Sequence, residues 1–108
     1  MEQKNFKFIE AELAMGATPK VKNPKLVKDW VFWLEQRPHE GGRTTLLARP
    51  WRELNCFSQE ITPFPINIGS RVHTYGGGSF AIGNHNNSFV ITWIDAQDGG
   101  LYCQTWSV

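Results

Sequence analysis

Three histidines, His39, His73 and His85, and two cysteines, Cys56 and Cys103, are the residues of this 108-residue sequence best suited to proton transfer or nucleophilic attack. A histidine base needs a nucleophile within hydrogen-bond reach, and a serine nucleophile is commonly presented on a strained Gly-x-Ser-x-Gly turn. The sequence holds no such turn, so these residues assemble no triad. His39 and His85 fall among turn residues, where solvation is the expectation. His73 lies in the most unusual run of the chain, Arg-Val-His-Thr-Tyr-Gly-Gly-Gly at 71–78. His73, Thr74 and Tyr75 are therefore the candidate binding residues. Gly76, Gly77 and Gly78 could cradle a phosphate only if a helix followed to supply aligned amides. A strand-like pattern follows instead, which makes them structural turn residues, as are Gly41 and Gly42.

Other chemistry is thinner. Neither cysteine has a Cys or His neighbour at metal-ligand spacing, and nothing signals an oxidising compartment, so reduced thiols are expected. Asp95 and Asp98 flank a turn, where aspartate captures local backbone amides, and their spacing fits no calcium loop. No metal and no cofactor is expected. The formal charge is +1, from 11 basic and 10 acidic residues, which nominates neither nucleic acid nor an anionic membrane as a partner. No apolar run approaches the roughly 20 residues of a membrane span. A cytoplasmic address is the default, and the Asn86-Asn87-Ser88 sequon carries no weight there. Of the five tryptophans, Trp30, Trp33, Trp51, Trp93 and Trp106, most lie in expected strands, where core packing outweighs a stacking platform.

The elements that must position these residues read as strands. Residues 30–50 form a hairpin, two runs rich in aromatic, β-branched and aliphatic residues around a turn with Pro38, Gly41 and Gly42. In the first arm Val31 and Trp33 face one way and Trp30, Phe32 and Leu34 the other. Both faces are apolar, which predicts an arm covered on both sides. Before it, Pro24 holds Asn23 extended and limits residues 23–27 to a brief strand, preceded by one helical turn at 10–15. After it, 56–62 reads as an edge strand with Phe57 and Ile61 against Gln59 and Glu60, then a loop at 62–69 with Phe64, Ile66 and Ile68 turned inward. Runs at 79–83, 88–94 and 100–106 separated by turns complete an all-β meander. Four strands and then three suggest antiparallel units of β-propeller blade type, about one blade plus most of a second. The divisions are a lead-in at 1–22, a first blade-like unit at 23–62, a connecting loop at 63–78 and an incomplete second unit at 79–108.

Pro24-Lys25-Leu26, the run at 30–49 with its Trp-Leu-Glu-Gln-Arg-Pro-His-Glu-Gly-Gly-Arg core, and the run at 71–78 resemble the N-terminal propeller of prolyl oligopeptidase family serine peptidases, in the acylaminoacyl and dipeptidyl peptidase-like branch. Ile9-Glu10-Ala11-Glu12-Leu13 is similar to the opening segment of those proteins, and the likeness extends to about Tyr102. The resemblance implies a propeller that gates peptide access to a separate α/β-hydrolase domain carrying a Ser-Asp-His triad. The nucleophile elbow of that domain has no match here, so the resemblance carries over no catalytic residue. Thr74 departs from the acidic residue usual at its position, and residues 92–104 keep only a loose likeness.

Two functions follow as expectations. One is a non-catalytic propeller fragment of a serine peptidase, whose partners are the remaining propeller and the hydrolase domain, with peptide as substrate only of the full-length parent. The other is a stand-alone β-rich interaction or binding module derived from a decayed propeller. Either way, blade edges left without neighbours predict self-association.

Overall fold

A computed structural model describes residues 19–53, 55–69 and 79–107. The helical turn expected at 10–15 and the whole run His73 to Gly78 lie outside the described residues. What is described is all-β, two antiparallel sheets ordered β1-β2-β3-β4 and β5-β6-β7. The strands are β1 (Lys20–Val27), β2 (Trp30–Arg37), β3 (Arg43–Pro50), β4 (Gln59–Glu60), β5 (Phe80–His85), β6 (Ser88–Ile94) and β7 (Leu101–Ser107). No helix among the described residues is long and apolar enough to cross a membrane.

β1 is longer than its sequence suggests because the chain absorbs Pro24 in a bulge. The register runs Lys22 to Leu34 and then jumps to Lys25 opposite Phe32. Asn23, expected to be extended, instead takes φ 54°. Asparagine tolerates that left-handed geometry, and the bulge takes the proline, which has no N–H, out of the ladder.

β2 and β3 pair without interruption from Trp30 opposite Pro50 to Arg37 opposite Arg43. Phe32, Leu34, Leu46 and Ala48 join the main core, while Trp33 and Leu47 are buried on the other face. The two-sided burial expected of this hairpin is therefore present. Its turn is a single 3₁₀ turn, Pro38–Glu40, closed by Gly41 at φ 69° and Gly42 at φ 83°.

The fourth strand is shorter than expected, only Gln59–Glu60. Its ladder continues for one bond, Ile61 N–H to Leu46 O at 2.8 Å, and then a side chain takes over. Leu46 N–H donates to Thr62 Oγ1 at 2.9 Å, and Thr45 Oγ1 donates to Thr62 O at 2.8 Å. Once a threonine hydroxyl stands in for the backbone, regular pairing ends. Phe57, upstream of the pairing, is 92% exposed.

The second sheet is regular. Its first turn is only Asn86 and Asn87, with Asn86 at φ 56°, so Asn84 and His85 belong to β5 rather than to the turn. In β6, Phe89, Ile91 and Trp93 are buried and the residues between them less so. These side chains meet the first sheet: Phe89 lies edge-on to Phe32 at 5.1 Å, and Trp106 edge-on to Trp30 at 4.9 Å. Burying side chains of this size contributes about 1.5–3 kcal/mol each.

Residues 61–69 stitch the sheets together. Ile68 N–H donates to Thr44 O at 3.0 Å and Gly69 N–H to Ile94 O at 2.9 Å, a strand of the other sheet. Ile68 is buried and Ile66 partly so, as expected of this loop. Phe64 departs from expectation at 76% exposed, because its ring sits over the Arg43 guanidinium, 5.9 Å away, rather than in the core.

Candidate functional site

The densest polar constellation among the described residues surrounds the end of the β2–β3 hairpin. Antiparallel register sets Arg37 and Arg43 opposite each other, which concentrates two positive charges at one spot. Three carboxylates answer them. Arg37 Nε donates to Glu35 at 2.9 Å and Nη1 to Glu40 at 3.1 Å. Arg43 Nε donates to Glu40 at 2.8 Å and Nη2 to Glu60 at 2.7 Å. The 3₁₀ turn brings Glu40 back between the two arginines, three residues from each.

Arg43 is 5% exposed, and its guanidinium reaches past the carboxylates. Nη1 donates to Thr62 O at 3.1 Å and to Ile66 O at 2.9 Å. Those two carbonyls belong to the stitching loop, so Arg43 fixes the loop that joins the sheets. Most of its N–H groups are spent on the protein itself, and it is an organising cation rather than a ligand clamp.

Electrostatics agree with that assignment. The Glu40 carboxyl lies below its ordinary value near 4.5, chiefly because Arg43 hydrogen-bonds its ionised form. Burial works to raise Glu60, but hydrogen bonding from Arg43 and the two arginine charges outweigh it, and Glu60 is lowered as well. Both carboxylates stay ionised at neutral pH and have no proton to give.

Beside the loop lies a groove of about 390 Å³ lined by Pro65, Ile66, Trp93, Asp95, Asp98 and Tyr102. Tyr102 stacks on Trp93 with centroids 5.9 Å apart and donates its hydroxyl to Asp98. Asp95 accepts from the amides of Gln97 at 2.7 Å and Asp98 at 3.1 Å, and Asp98 from Gly100 at 2.6 Å. The aspartates serve the turn, as their positions predict. The Tyr102 hydroxyl is pushed up by its bond to Asp98, which leaves it a donor and not a base.

Nucleophiles fare no better. Both cysteines are free thiols. Cys56 donates to Glu53 at 2.8 Å, and that bond raises its thiol above the ordinary value, the reverse of activation. His39 has Glu40 at 3.6 Å, and His85 is exposed on β5. Neither is hydrogen-bonded to a serine or cysteine among the described residues. No group of three His, Cys, Asp or Glu side chains suited to a metal occurs among the described residues either.

Of the residues singled out from sequence, Gly41 and Gly42 sit where the hairpin turn needs positive φ. His73, Thr74, Tyr75, Gly76, Gly77 and Gly78 lie outside the described residues. The arginine and glutamate cluster is what the sequence reading missed. Its signal is the spacing Arg37-x-x-Glu40-x-x-Arg43, which one tight turn folds onto itself.

No family model and no curated protein matches the sequence. A solved structure does: a puromycin-hydrolyzing peptidase of Mycobacterium tuberculosis, with a TM-score of 0.70 and 26% identity. This chain is similar to part of a peptidase. The match covers 81% of this chain and 13% of that one, so the chain spans a small share of the peptidase's length.

Proposed function

We propose that the chain is a non-catalytic N-terminal propeller segment of a prolyl oligopeptidase-like serine peptidase, in which the propeller gates peptide access to a separate α/β-hydrolase domain. The two sheets are then one blade and most of the next, packed face to face as blades are. The observation that carries this reading is the match to 13% of a peptidase chain over 81% of this one. The Arg43 cluster fits it as well: the chemistry gathered at the hairpin end locks two sheets together and activates nothing. On this reading the partners are the remaining blades and the hydrolase domain, the setting is cytoplasmic, and peptide is a substrate of the whole parent alone.

The test has two arms. The purified 108-residue chain, given puromycin, peptide amides and a serine-directed phosphonate, is expected to turn over none and to remain unlabelled. The genomic reading frame after Val108 is expected to continue to a Gly-x-Ser-x-Gly run on a strand-to-helix turn. Phosphonate labelling of the chain itself would sink the non-catalytic assignment, and an immediate stop codon would favour the stand-alone interaction module.

A further inference from the structure

β1 gathers positive charge that the carboxylates of the molecule do not answer. Lys20, Lys22, Lys25 and Lys28 are four of the six lysines of the sequence, and no acidic residue stands between Pro19 and Lys28. The whole-chain charge of +1 hides this segregation, because the carboxylates are engaged elsewhere. Glu35, Glu40 and Glu60 pair with Arg37 and Arg43, and Asp29 with Arg52. Among the described residues none of the four lysines is in an ion pair. β5, the strand that Lys25 reaches in the second sheet, reads Phe-Ala-Ile-Gly-Asn-His and offers no carboxylate either.

The bulge in β1 decides where these charges go. Lys20 stands opposite Gln36, Lys22 opposite Leu34 and, past the bulge, Lys25 opposite Phe32. Residues directly opposite each other share a face, and Phe32 and Leu34 belong to the core that the second sheet completes. Without the extra residue Lys25 would fall out of phase; with it, all three lysines line the face turned toward the second sheet. Lys25 bridges the sheets there, its ammonium donating to Phe80 O at 3.2 Å and lying 4.8 Å from the Phe80 ring. Lys20 and Lys22 are exposed. The row is thus set by side chains on the inner face between two described sheets, and not by an unpaired sheet edge.

We propose that β1 is a binding subsite for an extended acidic peptide, whose carboxylates on alternate residues meet Lys20 and Lys22 in the field of Lys25. Strand residues two apart are separated by about 7 Å, and alternate side chains of an extended peptide repeat at that same spacing, so the two rows of charge match. Side-chain charge holds the peptide, because Pro24 and the bulge interrupt any shared ladder. β1 carries no aromatic residue on which a base could stack, which favours a peptide over single-stranded nucleic acid. Binding by the 108-residue chain does not rest on the peptidase reading. The consequence for the parent does: there β1, as the first strand of its blade, lines the central channel, and the lysine row makes acidic peptides the favoured substrate class.

Fluorescence anisotropy of short labelled peptides mixed with the 108-residue chain tests the subsite. A peptide alternating glutamate and serine should bind about tenfold or more tighter than one alternating lysine and serine, and salt raised from about 20 to about 200 mM should weaken it several-fold. Lys20→Gln combined with Lys22→Gln should weaken it about fivefold or more. Both side chains are exposed, so far-ultraviolet circular dichroism and tryptophan fluorescence should be unchanged. Gln97→Glu lowers the net charge on the exposed β6–β7 turn and should alter affinity less than about twofold. On the unaltered chain, amide chemical-shift changes on adding the glutamate peptide should centre on residues 20–25. Equal affinity for the glutamate and lysine peptides overturns the proposal, as does a glutamate preference that survives the double lysine variant. An oligothymidylate of the same length that binds more tightly than the glutamate peptide overturns the choice of a peptide. Glutamate-peptide binding together with a stop codon directly after Val108 removes the peptidase reading and keeps the subsite; no binding, with a hydrolase frame downstream, does the reverse.

Discussion

β3 and β6 are both interior strands of antiparallel sheets, yet composition predicts the burial of neither. β3 reads Arg-Thr-Thr-Leu-Leu-Ala-Arg-Pro, half of it polar, and is buried from Arg43 through Arg49. β6 reads Ser-Phe-Val-Ile-Thr-Trp-Ile, nearly all apolar, and is fully buried only at alternate positions. The difference lies in partners. In β3, Arg43 has two carboxylates and two carbonyls, Thr45 has Thr62, and Arg49 Nη2 donates to Glu53 O. Thr44 gives its N–H to Asn67 Oδ1 at 2.8 Å. A polar group enters the interior when its hydrogen bonds are met, and a β-branched residue can stay half out when only one face of its sheet is covered.

The largest way to break this comparison is to empty the place where the sheets touch. Phe89→Ala removes the ring packed on Phe32 and should cost about 3–4 kcal/mol. Because one core is shared between the sheets, denaturant unfolding should remain a single transition at a lower midpoint, seen alike by tryptophan fluorescence and by circular dichroism. Two separated transitions would mean that the first sheet holds together by its polar network alone.

A smaller effect probes that network. Arg43→Met should cost about 2 kcal/mol, less than a fully buried pair, because Glu40 and Glu60 keep partial contact with water. Acid should separate the two forms further. The carboxyls of Glu40 and Glu60 are lowered in the folded chain, so below their ordinary value near 4.5 the unfolded chain binds protons more readily than the folded one. Stability present above that value is lost as pH falls through it toward the folded values. Denaturation midpoints measured from neutral pH down to 3 on an order-of-one-unit grid should therefore fall more steeply for the unaltered chain than for Arg43→Met. Equal slopes would leave the cluster no part in acid sensitivity.

How far the sequence announces this structure follows the same division. The hairpin, its two-sided burial and the bounds of β6 are legible because apolar alternation and turn glycines report directly on pairing. The exposure of Phe57 and Phe64 is not legible, because aromatic composition points inward whereas Phe57 stands before its strand begins and Phe64 covers a guanidinium. Arg43 was invisible for the opposite reason, since arginine is rarely so buried and nothing local announces that residues 60–66 will come to meet it. The end of β4 was hidden too, because the bond that terminates it is made by a threonine side chain from outside the strand.

The smallest effect compares the two hairpin turns. Gly41 has φ 69°, and a methyl group added there would touch nothing within 4 Å, so Gly41→Ala tests the backbone alone. A non-glycine residue in the left-handed region costs about 1 kcal/mol, and that loss should appear in the urea midpoint. Asn86 takes nearly the same conformation in the second sheet, φ 56°, with a side chain already in place. Asn86→Gly should then shift the midpoint by only a few tenths of a kcal/mol, on the order of the difference between asparagine and glycine at such sites. The first turn is held by Gly42 N–H to Arg37 O at 2.9 Å and by the Glu40 bridge to both arginines, so it cannot relax without loosening the cluster. If Gly41→Ala costs nothing, the turn is free to move, and the Arg43 network must draw its geometry from the loop at 61–69 instead.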